Sequence, residues 1–189
     1  MSDSAHRKFS ACFRRLFPSR LLRRFMRHEK GAAAIEFGMV ATPFLALVCA
    51  IMETALVFFA GQTLETAVTD SARLIMTGQA QTNGWSKDDF KTAVCSKVYN
   101  LFDCANGIYV DVKTYDSFSS INNDPPLTNG DVDPAKISYS PGGVGAIEVV
   151  TLYYQWKVYL SLFSANLSNM NGNNRLLVAT AVFRNEPYQ

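Results

Sequence analysis

From Lys30 to Gly61 the chain reads KGAAAIEFGMVATPFLALVCAIMETALVFFAG, and between Phe37 and Ala60 the only charge is Glu53. A helix over those 24 residues spans roughly 36 Å at about 1.5 Å per residue, more than the roughly 30 Å of a bilayer hydrocarbon core. This run dictates a chain with one membrane-spanning helix. Its front edge is unusual, because small residues and a carboxylate follow a glycine: Gly31-Ala32-Ala33-Ala34-Ile35-Glu36-Phe37.

Charge is distributed unevenly about that run. Residues 1–31 carry nine Lys or Arg against Asp3 and Glu29, whereas residues 32–189 carry nine against fourteen acidic groups. The positive flank places the N-terminus in the cytoplasm and the C-terminal part across the membrane. Basic residues beside a membrane helix are the ordinary expectation, so the arginines Arg14, Arg15, Arg20, Arg23, Arg24 and Arg27 do not imply nucleic acid. Interleaved with Phe9, Phe13, Leu16, Phe17, Leu21, Leu22 and Phe25, they suit anionic lipid headgroups. The plainer reading is a solvated leader.

Cysteine usage follows the same geography. Cys12 lies in the basic segment and Cys49 in the apolar run, leaving Cys95 and Cys104 as the two on the far side. If that side is a periplasm it is oxidising, and the two have a single possible pairing. Closing a loop of about ten residues stabilises a fold by about 2–3 kcal/mol on the chain-entropy view. The alternative is a pair of unlinked buried thiols.

The helix is expected to outlast the membrane. Leu64, Ala67, Val68, Ala72 and Ile75 continue one apolar side, Asp70 and Arg73 are spaced to pair, and Gly78 supplies a stop. Ala32 to Thr77 would be a helix of roughly 69 Å, bent at Pro43, whose ring excludes the hydrogen bond to the Met39 carbonyl. Ser86 and Asp89 are placed to cap a short helix carrying Phe90, Val94 and Val98. Residues 108–113, 146–157 and 176–183 read as strands, residues 116–145 as loop, and 158–167 as strand or short helix. The expected organisation is a basic leader (1–31), a hydrophobic helix with an amphipathic extension (32–77) and a periplasmic domain (78–189). The class is α+β: a long N-terminal helix leading into a small antiparallel sheet with helical cover.

No catalytic constellation emerges. Both histidines, His6 and His28, lie in the basic segment, so the far-side domain has none for a nucleophile–base pair or a zinc site. PGGVG at 141–145 lacks the Lys-Ser/Thr of a phosphate loop and reads as a turn. Asp124, Asp131 and Asp133 lack the spacing of an EF-hand and read as a solvated acidic loop. The expectation is a non-enzyme without a cofactor or metal.

Two carboxylates in the apolar run need explanation, since an acid at the centre of a membrane helix costs roughly 2.5–3.5 kcal/mol on insertion scales. Glu53 would contact another membrane helix or snorkel towards the outer interface. Glu36 would sit near the headgroups, favoured by the positive end of the helix dipole. If the chain were cut after Gly31, Glu36 would instead be able to neutralise the new amine at Ala32 of an adjacent copy, setting axial register between subunits. On physical grounds alone the interfacial carboxylate is the simpler account.

The sequence KGAAAIEFGMVATPF resembles the prepilin-peptidase site and hydrophobic helix of type IV pilin-like proteins, and more narrowly the TadE-like minor pseudopilins of the Tad (Flp, type IVc) pilus system. The resemblance continues into SARLIMTGQAQ (71–81) and returns at ATAVFRNEP (179–187). It implies cleavage between Gly31 and Ala32 by prepilin peptidase, a role for Glu36 and Phe37 in recognition or assembly, and a leader left in the cytoplasm. It also implies partners among other Tad pilins, pseudopilins and the inner-membrane assembly platform, and a part in assembling or initiating pili for surface adhesion. The competing reading keeps the leader and makes the chain an uncleaved single-pass anchor displaying a periplasmic binding domain. The aromatic set Tyr153, Tyr154, Trp156, Tyr159 and Phe163 would line the sheet or meet a partner.

Overall fold

The computed structural model describes residues 29–98, 101–159 and 168–188. Residues 1–28, most of the expected leader, and residues 160–167, expected as strand or short helix and including Phe163, lie outside the described residues. The chain divides into two compact units, Met1–Cys49 and Ala50–Gln189.

Helix α1 runs from Glu29 to Met76, with Pro43 inside it. Ile35, Phe37, Met39, Val40, Phe44, Leu45, Leu47, Ile51 and Met52 are all exposed. At 100° per residue those positions go round the whole circumference, the pattern of a helix surrounded by apolar material rather than lying on a core. Thr42 directs its hydroxyl to the Gly38 carbonyl at 2.8 Å, so this stretch hides that polar group within its own backbone. From Glu53 onwards the pattern changes. Glu53, Val57, Ala60, Leu64, Ala67, Val68, Ser71, Ala72 and Ile75 are buried at steps of three and four, one stripe of the helix. Asp70 and Arg73 stay exposed, and the ion pair seen among the described residues is Lys113–Asp111 instead.

The helix stops at Gly78, which takes φ +75° and donates its N–H to the Ile75 carbonyl at 2.9 Å. The Tyr188 ring lies where a Cβ would project, 2.2 Å from its position, so glycine is needed for space as well as for backbone freedom. A single turn, α2 (Gln79–Thr82), follows, then α3 (Lys87–Cys95). Ser86 caps α3 in a full capping box: its hydroxyl accepts from the Asp89 N–H, and Asp89 accepts from the Ser86 N–H at 2.9 Å. The short α4 (Cys104–Gly107) leads directly into β1 (Ile108–Tyr115).

Strands β4 (Ile147–Lys157) and β5 (Asn174–Arg184) complete an antiparallel sheet in the order β1-β4-β5. Val112 lies opposite Val150, and Leu152 opposite Ala179. Ile108, Val110, Val112, Val150, Leu152, Leu177 and Ala179 join the buried stripe of α1 with Phe90, Val94 and Phe102 in one core. A smaller cluster on the opposite face joins Tyr153 and Leu176 to Val132 and Ile137. Val132 belongs to a two-stranded ladder, β2 (Leu127–Thr128) and β3 (Asp131–Val132), around Asn129-Gly130. The fold is α+β, with a long apolar N-terminal helix followed by a small antiparallel-sheet domain.

Candidate functional site

The small-residue edge of α1 is its first two turns. Gly31 and Ala32 are already helical, since α1 begins at Glu29. The sequence places the start of the helix at Ala32; the continuous helix before it puts the Gly31–Ala32 peptide inside regular structure. Ala33, Ala34, Ile35 and Glu36 are exposed, and Phe37 is 75% exposed. Glu36 and Phe37 are neighbours in sequence but stand about 100° apart around the helix, so a surface that reads both must wrap it.

Glu53 stands at the change from all-round exposure to a single buried stripe. Only 8% exposed, it accepts the Tyr159 N–H on Oε1 at 2.5 Å. Tyr159 follows the end of β4, so the carboxylate ties the helix to the chain leaving the sheet. Sequence reasoning sought the partner of Glu53 in another membrane helix or in the interface, whereas the fold supplies one from its own backbone.

Residues 31–73 match the family model described as TadE-like protein. This segment is TadE-like. The match takes in Gly31, Ala32, Glu36, Phe37, Pro43 and Glu53. It ends before SARLIMTGQAQ is complete and does not reach ATAVFRNEP, so the resemblance narrows to the helix. No curated protein and no solved structure matches the chain.

Beyond the TadE-like segment, Cys95 and Cys104 are joined in a disulfide with Cα atoms 5.8 Å apart, linking the end of α3 to the start of α4. Cys49, on α1, is free. Tyr154 and Trp156 pack edge-on against Phe102, with ring centroids 4.8 and 6.2 Å away, and Tyr153 is buried. Of the aromatic set, Tyr159 is left exposed among the described residues.

Among the described residues no three His, Cys, Asp or Glu side chains gather where a metal would bind. Asp133 accepts the Thr128 hydroxyl at 2.7 Å and the Ala135 N–H at 3.0 Å, while Asp131 accepts the Asn171 amide at 3.2 Å. These acids hold turns.

The polar centre that sequence reasoning missed is Glu148, wholly buried on β4. Its Oε1 accepts from the Gly142 N–H, the Thr114 hydroxyl at 3.4 Å and the Asn185 amide at 3.3 Å. Asn185 also donates to the Gly142 and Gly143 carbonyls, and Gln81 donates to the Gly142 carbonyl at 3.0 Å. The carboxylate thus fastens β1, the 141–145 turn and the segment after β5, while Gln81 ties α2 to the same turn. Burial pushes its acidity towards the neutral form, and the three donors pull part of the way back. The signal was available: Glu148 alternates onto the same strand face as Val150 and Leu152, a position where a charge is out of place.

Proposed function

We propose that this chain is a minor pseudopilin that takes part in assembling or initiating a Tad (type IVc) pilus. The observation that carries the reading is the TadE-like match over residues 31–73, which falls on the exposed apolar helix and its small-residue edge. In this reading prepilin peptidase cuts between Gly31 and Ala32, and the basic leader stays in the cytoplasm. The new amine at Ala32 is neutralised by Glu36 of a neighbouring pilin or pseudopilin, which fixes axial register. The helix is long and apolar enough to cross a membrane, and it holds the subunit in the inner membrane before assembly. The sheet domain, stapled by Cys95–Cys104, faces the periplasm. The function is structural, with no reaction catalysed.

The test is mass spectrometry of the N-terminus of membrane-extracted protein from cells with and without the peptidase. An N-terminus at Ala32 that disappears without the peptidase, and in Gly31→Ala, supports processing. An intact leader in peptidase-positive cells removes it. The second reading, an uncleaved anchor, draws on the helical setting of the Gly31–Ala32 bond. It expects the intact leader, and pilus assembly unaffected by Glu36→Ala.

A further inference from the structure

We propose that Glu148 and Asn185 form a carboxylic acid–carboxamide pair, in which a proton on Glu148 Oε2 is donated to Asn185 Oδ1, and that this proton latches the segment after β5 onto the end of α1. The device lies wholly within the unit Ala50–Gln189 and rests on no reading of the membrane helix. Glu148 is fully buried and Asn185 is 4% exposed. The Asn185 amide donates to Glu148 Oε1 at 3.3 Å, so the two planar groups already share one bond.

The distribution of donors marks the protonated oxygen. Oε1 accepts from Gly142, Thr114 and Asn185, whereas Oε2 is buried with no donor. An ionised carboxylate shares its charge between both oxygens, and leaving one of them dry and bare is costly. A neutral acid divides the roles instead: its carbonyl oxygen accepts and its hydroxyl oxygen donates. The acceptor that such a donor needs is also present. Asn185 Oδ1 is buried without a partner, and its orientation is set by Nδ2, which holds the Gly142 and Gly143 carbonyls at 3.1 and 2.9 Å. One proton between Oε2 and Oδ1 satisfies both atoms.

Among the described residues no cation steadies the alternative, an anion. Thr114 on β1 and Gln81 on α2 are neutral, and the buried stripe of α1 ends in Ser71, Ala72 and Ile75. Arg184 on β5 turns its Nε to the Gly145 carbonyl at 2.8 Å, and Lys113 on β1 pairs with Asp111. Tyr139, beside Val112, buries its hydroxyl without a partner and so does not supply the missing donor. Asp89 on α3 acts on Tyr139 with the same sign of charge as an ionised Glu148. Glu186, the acid that follows Asn185, is exposed.

What the pair holds is the chain that leaves β5. The Asn185 N–H donates to the Ala146 carbonyl at 2.9 Å, and the Asn185 carbonyl accepts the Gly145 N–H at 3.2 Å. The Glu186 N–H then donates to the Met76 carbonyl at 2.9 Å, and the Tyr188 ring covers Gly78. Losing the proton places a charge in a dry site and leaves Oε2 and Oδ1 as two acceptors with no donor between them. The segment is therefore released from the close of α1 as pH rises.

The experiment uses the full chain in detergent, with isotope-labelled glutamate carboxyl groups. Infrared spectra at neutral pH are expected to show the C=O stretch of a protonated carboxylic acid that is shifted by the label and disappears in Glu148→Gln. In Asn185→Ala, where the acceptor is gone, that band should move to higher frequency. Hydrogen exchange at the Glu186 amide, corrected for its intrinsic rate, reads the latch. Its protection should fall several-fold in the parent as pH rises through the loss of the band. It should stay constant in Glu148→Gln, whose amide is a permanent donor of the same shape. Absence of a Glu148 band at neutral pH, or a band that Asn185→Ala does not move, overturns the pair. A band that titrates away while Glu186 protection holds overturns the latch.

Discussion

The Glu53 carboxylate and the Tyr159 N–H, 106 positions apart in sequence, meet at 2.5 Å. The bond is part-buried and a hydrogen bond contributes about 0.5–1.5 kcal/mol net, so Glu53→Ala should destabilise the sheet domain by about that amount. Glu53→Gln keeps an acceptor of the same shape and should cost less than half as much. Amide hydrogen exchange distinguishes the two: protection at Tyr159 is expected to vanish in the alanine variant and persist in the glutamine variant. Unchanged protection in Glu53→Ala would show that the bond does not hold this segment.

Glu148 gives the domain a pH dependence of the opposite sign to its surface acids. Burial raises its folded pKa above the ordinary 4.5, so the folded state holds the proton more tightly than the unfolded chain. Its contribution is complete below the ordinary value and is lost as pH rises through the raised one. Asp89 and Asp133 are held below 3.8, chiefly by the Ser86 and Thr128 hydroxyls, so their contributions are lost as pH falls through those lowered values. Denaturant midpoints measured from acid to neutral pH should show Glu148→Gln losing stability less steeply above pH 4.5 than the parent. Parallel profiles would mean that Glu148 titrates normally.

What could be read from the sequence divides along local and distant contacts. The Gly78 stop, the Ser86–Asp89 cap and the strands beginning at Ile108 and Ile147 depend on neighbours within a few residues, and periodicity or capping chemistry suffices to find them. The helix start was misplaced because Glu29 and Lys30 carry charge, yet both continue the α-helical backbone. The β2–β3 ladder was read as loop, since two-residue strands have no period to detect. Glu53 and Glu148 were legible only as anomalies. The charge of Glu53 stood out against its apolar run and that of Glu148 was passed over on its strand, and the partners of both lie far away in sequence or in a turn whose path the fold decides. For the candidate site, residue types at 31–37 carry the resemblance, while the accessibility of Phe37 and the helical state of Gly31–Ala32 needed the structure.

The Cys95–Cys104 bridge closes a short loop between α3 and α4. On the chain-entropy view such a loop contributes about 2.5 kcal/mol by restricting the unfolded chain. The Cys95→Ser/Cys104→Ser double variant should therefore lower the urea midpoint of the detergent-solubilised protein. Adding reductant should bring the parent to the same midpoint and leave the variant unchanged. A parent insensitive to reductant, with its bond shown to be open, would mean that the bridge contributes nothing.

Two glycines with positive φ separate backbone strain from packing. Gly78 (φ +75°) lies against the Tyr188 ring, whereas Gly84 (φ +62°) has nothing within 4 Å of a Cβ position. Alanine at either site is forced into the left-handed region, a strain of about 1 kcal/mol. Gly84→Ala should cost about that alone. Gly78→Ala must also displace Tyr188 and disturb the segment in which the Glu186 N–H donates to the Met76 carbonyl at 2.9 Å, adding an overpacking cost of about 1–3 kcal/mol. Tyr188→Ala in the Gly78→Ala background should recover most of that excess, because the ring that the new methyl strikes is gone. If the two glycine variants lose equal stability, the Tyr188 contact carries no weight and the close of α1 depends on backbone conformation alone.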